Sequence, residues 1–167
     1  NPKSVKQTAE IADGWLPVFL PKPQWKPQLA VLYDAALAAG RKREAIEVSC
    51  PYTITVTDRP ARAAQVRRVT AVRYIARMGD FYYELFVRMG YRAEADAVRA
   101  AYAQGGTDAA NAAMPDALVD ELGFAGSVEA CCAALDEASE AGFSVMSVSV
   151  SERDPQKRAA IFRKLVS

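Results

Sequence analysis

The sequence has 167 residues, of which 51% are apolar and 25% charged, so the chain is long and apolar enough to bury the core of one domain. Its 21 Lys and Arg against 20 Asp and Glu leave a net charge of +1, which gives no electrostatic reason to expect nucleic acid or a membrane surface as a partner. The absence of histidine excludes a Ser-His-Asp triad, a Cys-His pair and any His-ligated metal site within these residues.

Membrane and disulfide signals are also missing from the sequence. Its apolar stretches are far below the roughly 18 residues that a membrane span needs, and its start has no basic-then-apolar leader, so we expect a cytoplasmic protein. Cys50, Cys131 and Cys132 form no CxxC spacing, so we expect neither a disulfide framework nor a metal site. Buried core thiols are favoured over reactive ones, because free cysteine is among the most buried residue types.

The first predicted elements are a helix and a strand. Residues 3–12 form an amphipathic helix that Gly14 ends. Residues 15–20 are a nearly unbroken apolar run, which is typical of a parallel strand covered on both faces. The proline-rich residues 21–27 predict an irregular loop, and a second helix follows it.

A second strand and a long helical stretch come next. Apolar residues alternate from Ile46 to Val56, which predicts a strand in which Pro51 should interrupt pairing or mark a bulge. Helical texture then continues to Leu122. Near its start, four apolar residues fall three apart and should form a buried stripe: Val66, Val69, Val72 and Ile75.

The last predicted elements are a helix, a strand and a short helix. Ser127 is a good N-cap for the first helix and Gly142 is placed to end it. Residues 143–150 then read as a third strand, and residues 155–166 as an amphipathic helix. Strands separated by helices imply a parallel sheet, but three strands alone would leave two unpaired edges that something else should cover.

Five segments stand in a fixed order along the chain. They are AEIADGWL (residues 9–16), YTITVTDRPARAA (52–64), MGDFYYELFVRMGYRAEADAV (78–98), AAMPDALVDELGFAGSVE (112–129) and EAGFSVMSVSV (140–150). Together they resemble the C-terminal half of bacterial luciferase-like oxidoreductases. Within that superfamily they are most similar to the branch that uses the deazaflavin coenzyme F420.

The resemblance implies an α/β fold that is the C-terminal part of a (β/α)8 TIM barrel, since family members are barrels of roughly twice this length. Residues 1–167 would then be a single part-barrel domain running from helix five to strand eight. Residues from about 60 to 122 would include the helical insertion that follows strand seven. The implied partners are the missing N-terminal half of the barrel or a second copy of the chain, and we expect a homo-oligomer.

A phosphate site at the start of the first helix is the second implication of the resemblance. In the family a Gly-Gly-Pro or Gly-Pro segment there lies against the phosphate tail of the deazaflavin or flavin, and it falls on Asn1, Pro2 and Lys3 in this sequence. Coenzyme F420 is therefore the expected cofactor, with FMN as the alternative. The interpretation that Pro2 and Lys3 merely begin a helix stays open.

The expected substrate pocket comes from a loop and an aromatic cluster. Family members that act on phosphorylated sugars have a hydroxyl residue where this sequence has Val18, so with Phe19 beside it we expect an apolar small-molecule substrate. Lys22 lies in the same loop as a ligand or as a solvated lysine. Phe81 and Tyr82 form either a wall over the substrate or the packing of the helical insertion.

The sequence also contains two sets of polar residues that could contact a ligand or solvent. Ser147, Ser149 and Ser151 alternate onto one face at the end of the last strand, where they could donate to a ligand or be hydrated. The basic run from Arg59 to Arg68 favours a solvated face. In the F420 branch the acid-base residues come from the first barrel strands, so we assign no catalytic residue to this chain.

The expected function is hydride transfer between F420 and a small organic substrate, with these residues supplying phosphate grip and pocket walls. Two rivals remain open. One is an FMN-dependent monooxygenase, and the other is a non-catalytic part-barrel scaffold or interaction module.

Overall fold

The structure is a computed structural model that describes residues 2–166. In chain order its α-helices and strands are α1 (Pro2–Ile11), β1 (Gly14–Trp15), α2 (Trp25–Ala38), β2 (Glu47–Val56), α3 (Pro60–Arg77), α4 (Asp80–Arg88), α5 (Arg92–Ala113), α6 (Asp116–Glu121), β3 (Phe124–Gly126), α7 (Val128–Ala141), β4 (Val145–Val150) and α8 (Pro155–Leu165). Short 3-10 helices precede α2 and β2, at Lys22–Gln24 and Arg43–Ala45. None of the described helices combines the length and the apolar character that a membrane span requires.

The chain divides into two compact units. The sheet unit holds the described residues up to Pro60 and those from Phe124 onward, and therefore all four strands. The helical unit holds Ala61–Gly123. That the helical unit is an insertion into a barrel stays a prediction.

β2 is the central strand of the sheet, because each of the other three described strands pairs with it in parallel. β1 pairs with the first residues of β2, Glu47 and Val48. β3 and β4 both pair with Ile54–Val56, so they lie on opposite edges of β2. The predicted parallel sheet is confirmed, and β3 is a further strand that the sequence pattern did not reveal.

A bulge in β2 surrounds Pro51. Ser49 pairs with Val145 and Thr53 with Ser147, so four residues of β2 span the interval that two residues of β4 span. Proline has no N–H to donate to the ladder, which explains why the irregularity lies here. Because the excess is an even number of residues, side chains before and after the bulge keep the same faces.

One face of the sheet is covered by α7 and α8. Ile54 and Val56 of β2 form a buried cluster with Cys131 and Ala134 of α7. Partly buried side chains complete it: Tyr52, Phe124, Val128, Leu135, Val150, Ile161 and Leu165. The apolar residues of β2 therefore face the helices, as the alternation predicted.

Trp25 joins α2 to this sheet. Its ring centroid lies 5.1 Å from that of Tyr52 and 5.0 Å from that of Phe143, and its side chain is 3% exposed. Its Nε1–H donates to the carbonyl oxygen of Leu20 at 3.2 Å. One buried side chain thus fixes α2, the middle of β2 and the segment between β1 and α2.

The predicted ends of α7 are confirmed. The hydroxyl of Ser127 accepts a hydrogen bond from the backbone N–H of Ala130 at 3.3 Å, which satisfies one of the free donors of the first turn. Gly142 follows the last turn with φ 113°, a left-handed conformation that glycine adopts without strain.

The first predicted strand is wrong in extent. β1 ends at Trp15, because Pro17 lacks the N–H that a continued ladder would need and Phe19 has a positive φ of 50°. The irregular loop predicted over residues 21–27 is wrong, because Lys22–Gln24 form a 3-10 helix and α2 follows directly. α2 begins at Trp25, because its Pro27 lies in the first helical turn, where no intrahelical N–H bond is lost.

The predicted apolar stripe of α3 is only half right. Val72 and Ile75 are buried, whereas Val66 is 61% and Val69 is 41% exposed. Residues three apart turn by about 300° in an α-helix, so the first and last of four such residues lie on opposite sides. Strict three-residue spacing therefore does not describe a single helix face.

Two arginines of the basic run are structural, which corrects the solvated-face interpretation. The side chains of Arg67 and Arg68 are 19% and 13% exposed. Arg68 donates to the carbonyl oxygens of Asn111 and Met114 at the end of α5 and pairs with Asp116 at the start of α6. The carbonyl of Asn111 also accepts from the backbone N–H of Met114 at 3.4 Å, so Arg68 adds a charged donor to the last carbonyls of α5.

We predict that Trp25 contributes most to the stability of the sheet unit. Trp25→Ala should lower the free energy of unfolding by about 3–5 kcal/mol through loss of packing. Trp25→Phe should lower it by about 1–3 kcal/mol, because the carbonyl of Leu20 loses its donor. Urea unfolding followed by circular dichroism measures both changes.

The matched control for Trp25 is Leu37→Ala, because Leu37 lies on the same helix and is 74% exposed. It should change the free energy of unfolding by less than about 0.5 kcal/mol. Equal effects of Leu37→Ala and Trp25→Ala would contradict the role given to Trp25.

Candidate functional site

The carboxyl ends of the parallel strands define one edge of the sheet. β2 ends at Val56, β3 at Gly126 and β4 at Val150, with Val56 in register with both of the others. In parallel α/β folds, ligand sites lie at this edge. The candidate site is therefore sought at these strand ends and in the segments that follow strands of the sheet.

The segment between β1 and α2 carries Val18, Phe19 and Lys22. Val18 is 51% exposed, while Leu20 is 6% exposed and held by the indole of Trp25. Phe19 is the one non-glycine among the described residues that has a positive φ, at 50°. Backbone strain of this kind persists only where the surroundings hold it in place, and it is frequent at ligand sites.

Lys22 is paired with a carboxylate on α7. Its Nζ donates to Oε2 of Glu137 at 2.6 Å, with the side chains 44% and 52% exposed. An exposed ion pair of this kind stabilises the fold by only about 0–1 kcal/mol. A phosphate group at this position would have to compete with Glu137 for the ammonium group.

The predicted phosphate segment falls at the start of α1. Asn1 lies outside the described residues, the helix begins at Pro2, and Lys3 is exposed. The first turn contains no acidic residue, so no carboxylate opposes an anion there. Binding of a cofactor by these residues stays a prediction.

Phe81 and Tyr82 belong to the helical unit. Their rings are edge to face, with centroids 5.1 Å apart, and Tyr82 makes a second such contact with Tyr74 at 4.5 Å. Phe81 is 59% exposed and Tyr82 is partly buried. Both interpretations of this pair, packing of the helical unit and a wall over a substrate, therefore stay open. Tyr82 packs against other rings of the helical unit, whereas Phe81 lies on its surface.

The sheet face opposite to α7 and α8 carries a set of hydroxyl groups. Thr53 is in register with Ser147, and Thr55 with Ser149. Side chains in register on neighbouring strands share a face, so the four residues form two cross-strand pairs that we call the hydroxyl ladder. Thr55 and Ser149 are each one residue from the end of their strand.

Sequence reasoning named the serines of this ladder but missed the threonines. The alternation of Thr53 and Thr55 with buried Ile54 and Val56 was a usable signal, because it places every second residue on the far face. What the sequence did not contain was the register between β2 and β4, which depends on the bulge at Pro51.

Two thiols lie within the helix-covered side of the sheet unit. The Sγ of Cys131 contacts the carbonyl oxygens of Thr55 at 3.5 Å and Gly126 at 3.8 Å, at the ends of β2 and β3. Burial raises the pKa of the Cys131 thiol, and it raises the pKa of Cys50 in the same way. Both are poor nucleophiles near neutral pH, which agrees with the core role expected for them.

Comparison with protein families and curated proteins gives two matches. Residues 1–144 match the family described as luciferase-like monooxygenase. A protein of Mycobacterium tuberculosis that is described provisionally as a coenzyme F420-dependent oxidoreductase is 33% identical over an alignment of 141 residues. This alignment covers 77% of this chain and 39% of that protein.

Solved structures share the fold. The coenzyme F420-dependent tetrahydromethanopterin reductase of Methanopyrus kandleri aligns with 99% of the chain at a TM-score of 0.69 and 20% identity. An F420-dependent secondary alcohol dehydrogenase in complex with an F420-acetone adduct aligns with 98% of the chain at a TM-score of 0.56 and 14% identity. DmoA from Hyphomicrobium sulfonivorans aligns with 96% of the chain at a TM-score of 0.53 and 14% identity. At these identities the likeness shows the fold, a mixed α/β fold with a parallel sheet.

The chain spans less than half the length of these proteins. It covers 46%, 45% and 38% of the three solved chains and 39% of the mycobacterial protein.

We predict unequal reactivity of the three thiols. Cys50 and Cys131 are 3% and 0% exposed, whereas Cys132 is partly exposed. A thiol reagent at about pH 8 should therefore label Cys132 in the folded protein and the other two only after unfolding. Mass spectrometry of the labelled peptides measures the extent of labelling at each cysteine. Cys132→Ala should abolish labelling of the folded protein. Equal labelling of all three cysteines in the folded protein would contradict the burial of Cys50 and Cys131.

The raised thiol pKa values also predict a pH dependence of stability. The unfolded chain releases these protons first as the pH rises, so the contribution of Cys50 and Cys131 is complete below the unfolded pKa of about 8.5 and is lost as the pH rises through the folded pKa values. Urea unfolding from pH 7.5 to 10 should show a falling free energy of unfolding. A flat or rising profile in Tyr91→Phe, which removes another group with a raised pKa, would contradict it.

Proposed function

The chain belongs to the luciferase-like monooxygenase family, and from that membership we propose that it is part of an oxidoreductase that uses coenzyme F420 to transfer a hydride to or from a small organic substrate. The observation that carries the proposal is the 33% identity to a protein described provisionally as F420-dependent, over 77% of this chain. Two solved neighbours whose descriptions name F420 support the same cofactor. FMN is the rival cofactor, because the family description names a monooxygenase.

The finer architecture that we propose is the C-terminal part of a (β/α)8 barrel. β1, β2 and β4 would be strands six, seven and eight, and the helical unit would be the insertion after strand seven. Almost the whole chain aligns with less than half of each solved neighbour, which supports a part of a larger fold. The N-terminal half of the barrel would cover the outer edges of β1 and β4, and a homo-oligomer would form from complete barrels.

Within that barrel we propose two roles for the sheet unit. Pro2 and Lys3 at the start of α1, together with Asn1 before them in the sequence, would hold the phosphate tail of the cofactor, because free N–H groups and the helix dipole favour an anion there. The segment with exposed Val18 and strained Phe19 would form an apolar part of the substrate pocket. Lys22 would stabilise this segment through Glu137 and not act as a phosphate ligand.

Cofactor titration tests the proposed function. The protein encoded by the whole reading frame that contains this sequence should quench the fluorescence of F420 on binding and should bind FMN at least tenfold more weakly. The physical reason is that the two cofactors differ in their tails and in the atoms of their rings, so one pocket favours one of them. Tight binding of FMN without binding of F420 would assign the protein to the flavin-dependent monooxygenases, and binding of neither would favour a non-catalytic module.

Lys3 provides a sharper test of the phosphate segment. Lys3→Gln should raise the dissociation constant for F420 roughly tenfold, because one charged donor to an anion is lost. Lys6→Gln is the matched control, since Lys6 lies on the same helix and is paired with Glu10 at 3.9 Å. Equal affinities of the two variants would remove Lys3 from the cofactor site while leaving F420 use intact.

A further inference from the structure

The hydroxyl ladder is unusual for a parallel sheet. Such sheets are generally covered on both faces, so the strands are apolar on both sides. Here Ile54 and Val56 are buried under α7, while Thr53, Ser147 and Ser149 on the opposite face are exposed. The polar residues therefore occupy positions where a packed interior would require large apolar side chains.

The ladder is polar but uncharged. In the part of the chain that the structure describes, none of its four hydroxyls makes a hydrogen bond to protein. From Ser49 to the end of β2, and throughout β4, the sequence contains no charged residue. A ligand at this face meets groups that can both donate and accept hydrogen bonds but that cannot neutralise a charge.

Spacing makes the ladder suitable for one planar or small polar group. Neighbouring strands lie about 4.8 Å apart, and residues two apart along a strand lie about 6.6 Å apart. Two hydroxyls on adjacent strands can therefore contact two neighbouring oxygen or nitrogen atoms of the same group. The upper pair, Thr55 and Ser149, lies at the carboxyl ends of the strands, where ligands of such folds bind.

We propose that the hydroxyl ladder is a binding subsite for an uncharged carbonyl, amide or hydroxyl group. An anion is disfavoured because β2 from Ser49 onward and β4 carry no cation that would compensate for its lost hydration. An apolar group is disfavoured because the hydroxyls would lose water without a replacement. The ligand group comes from the organic substrate or from the amide edge of the deazaflavin ring, and in that sense the subsite rests on the proposed function. It adds a polar contact to a pocket whose loop side is apolar.

Isosteric variants of the full-length protein test the subsite. Thr55→Val keeps shape and removes the hydroxyl, Ser149→Ala removes the other, and Thr55→Ser keeps the hydroxyl while removing the methyl group. Ser139→Ala is the matched control, because Ser139 is exposed on α7. Urea unfolding first establishes that every variant is folded.

The probes are F420, the deazaflavin nucleoside that lacks the phosphate tail, and acetone as a small carbonyl compound observed by saturation-transfer NMR. If the ladder holds the ring, Thr55→Val and Ser149→Ala raise both deazaflavin dissociation constants roughly threefold to tenfold, while Thr55→Ser and Ser139→Ala leave them unchanged. If it holds the substrate group, deazaflavin affinities stay constant and the acetone signal is lost in the same two variants.

Two results separate failure of the subsite from failure of the proposed function. In the first result, the wild type binds F420, and neither Thr55→Val nor Ser149→Ala changes the binding of any of the three probes. This overturns the subsite and leaves F420 use standing. If the wild type binds no deazaflavin, the proposed function fails, and acetone without cofactor decides the subsite. An acetone signal that is absent, or equal in wild type and variants, then overturns it.

Discussion

The other three described strands of the sheet unit are each hydrogen-bonded to β2, so the rest of that unit depends on the sequence and register of this one strand. Its apolar residues decide which face α7 and α8 cover, and its hydroxyl residues decide what remains on the other face. Trp25 acts on the same strand, because its ring packs on Tyr52 while its indole N–H holds the segment before α2. Core and candidate site are therefore two sides of a single element.

The bulge at Pro51 preserves this two-sided arrangement. One extra residue in β2 would have reversed the facing of every side chain after it, and Thr53 and Thr55 would then lie under the helices. The observed shift of two residues keeps Ile54 in the core and Thr55 outside. The bulge also sets the register that brings Thr55 beside Ser149. The pairing of the hydroxyls therefore depends on the irregularity in backbone pairing around Pro51.

The sequence predicted the elements that local chemistry determines and missed those that depend on distant contacts. The ends of α7 follow from Ser127 and Gly142 alone, and both were confirmed. The length of β1 depends on what Pro17 does to a ladder with a partner distant in the chain. The three residues of β3 are too few for any periodicity and form a strand because β2 offers them an edge. The arginines of α3 looked solvated because their carbonyl partners lie more than 40 residues away.

In the hydroxyl ladder we propose groups that would bind and orient a ligand, and we assign no proton transfer to them. The sequence has no histidine, burial raises the pKa of Cys50 and Cys131, and Lys22 is paired with Glu137. Serine and threonine hydroxyls donate and accept hydrogen bonds without changing charge. In the proposed oxidoreductase the cofactor supplies the hydride chemistry when bound. The part of the pocket formed by this chain would then contribute through geometry, because hydrogen bonds from a rigid sheet restrict how a ligand group lies against the strand ends.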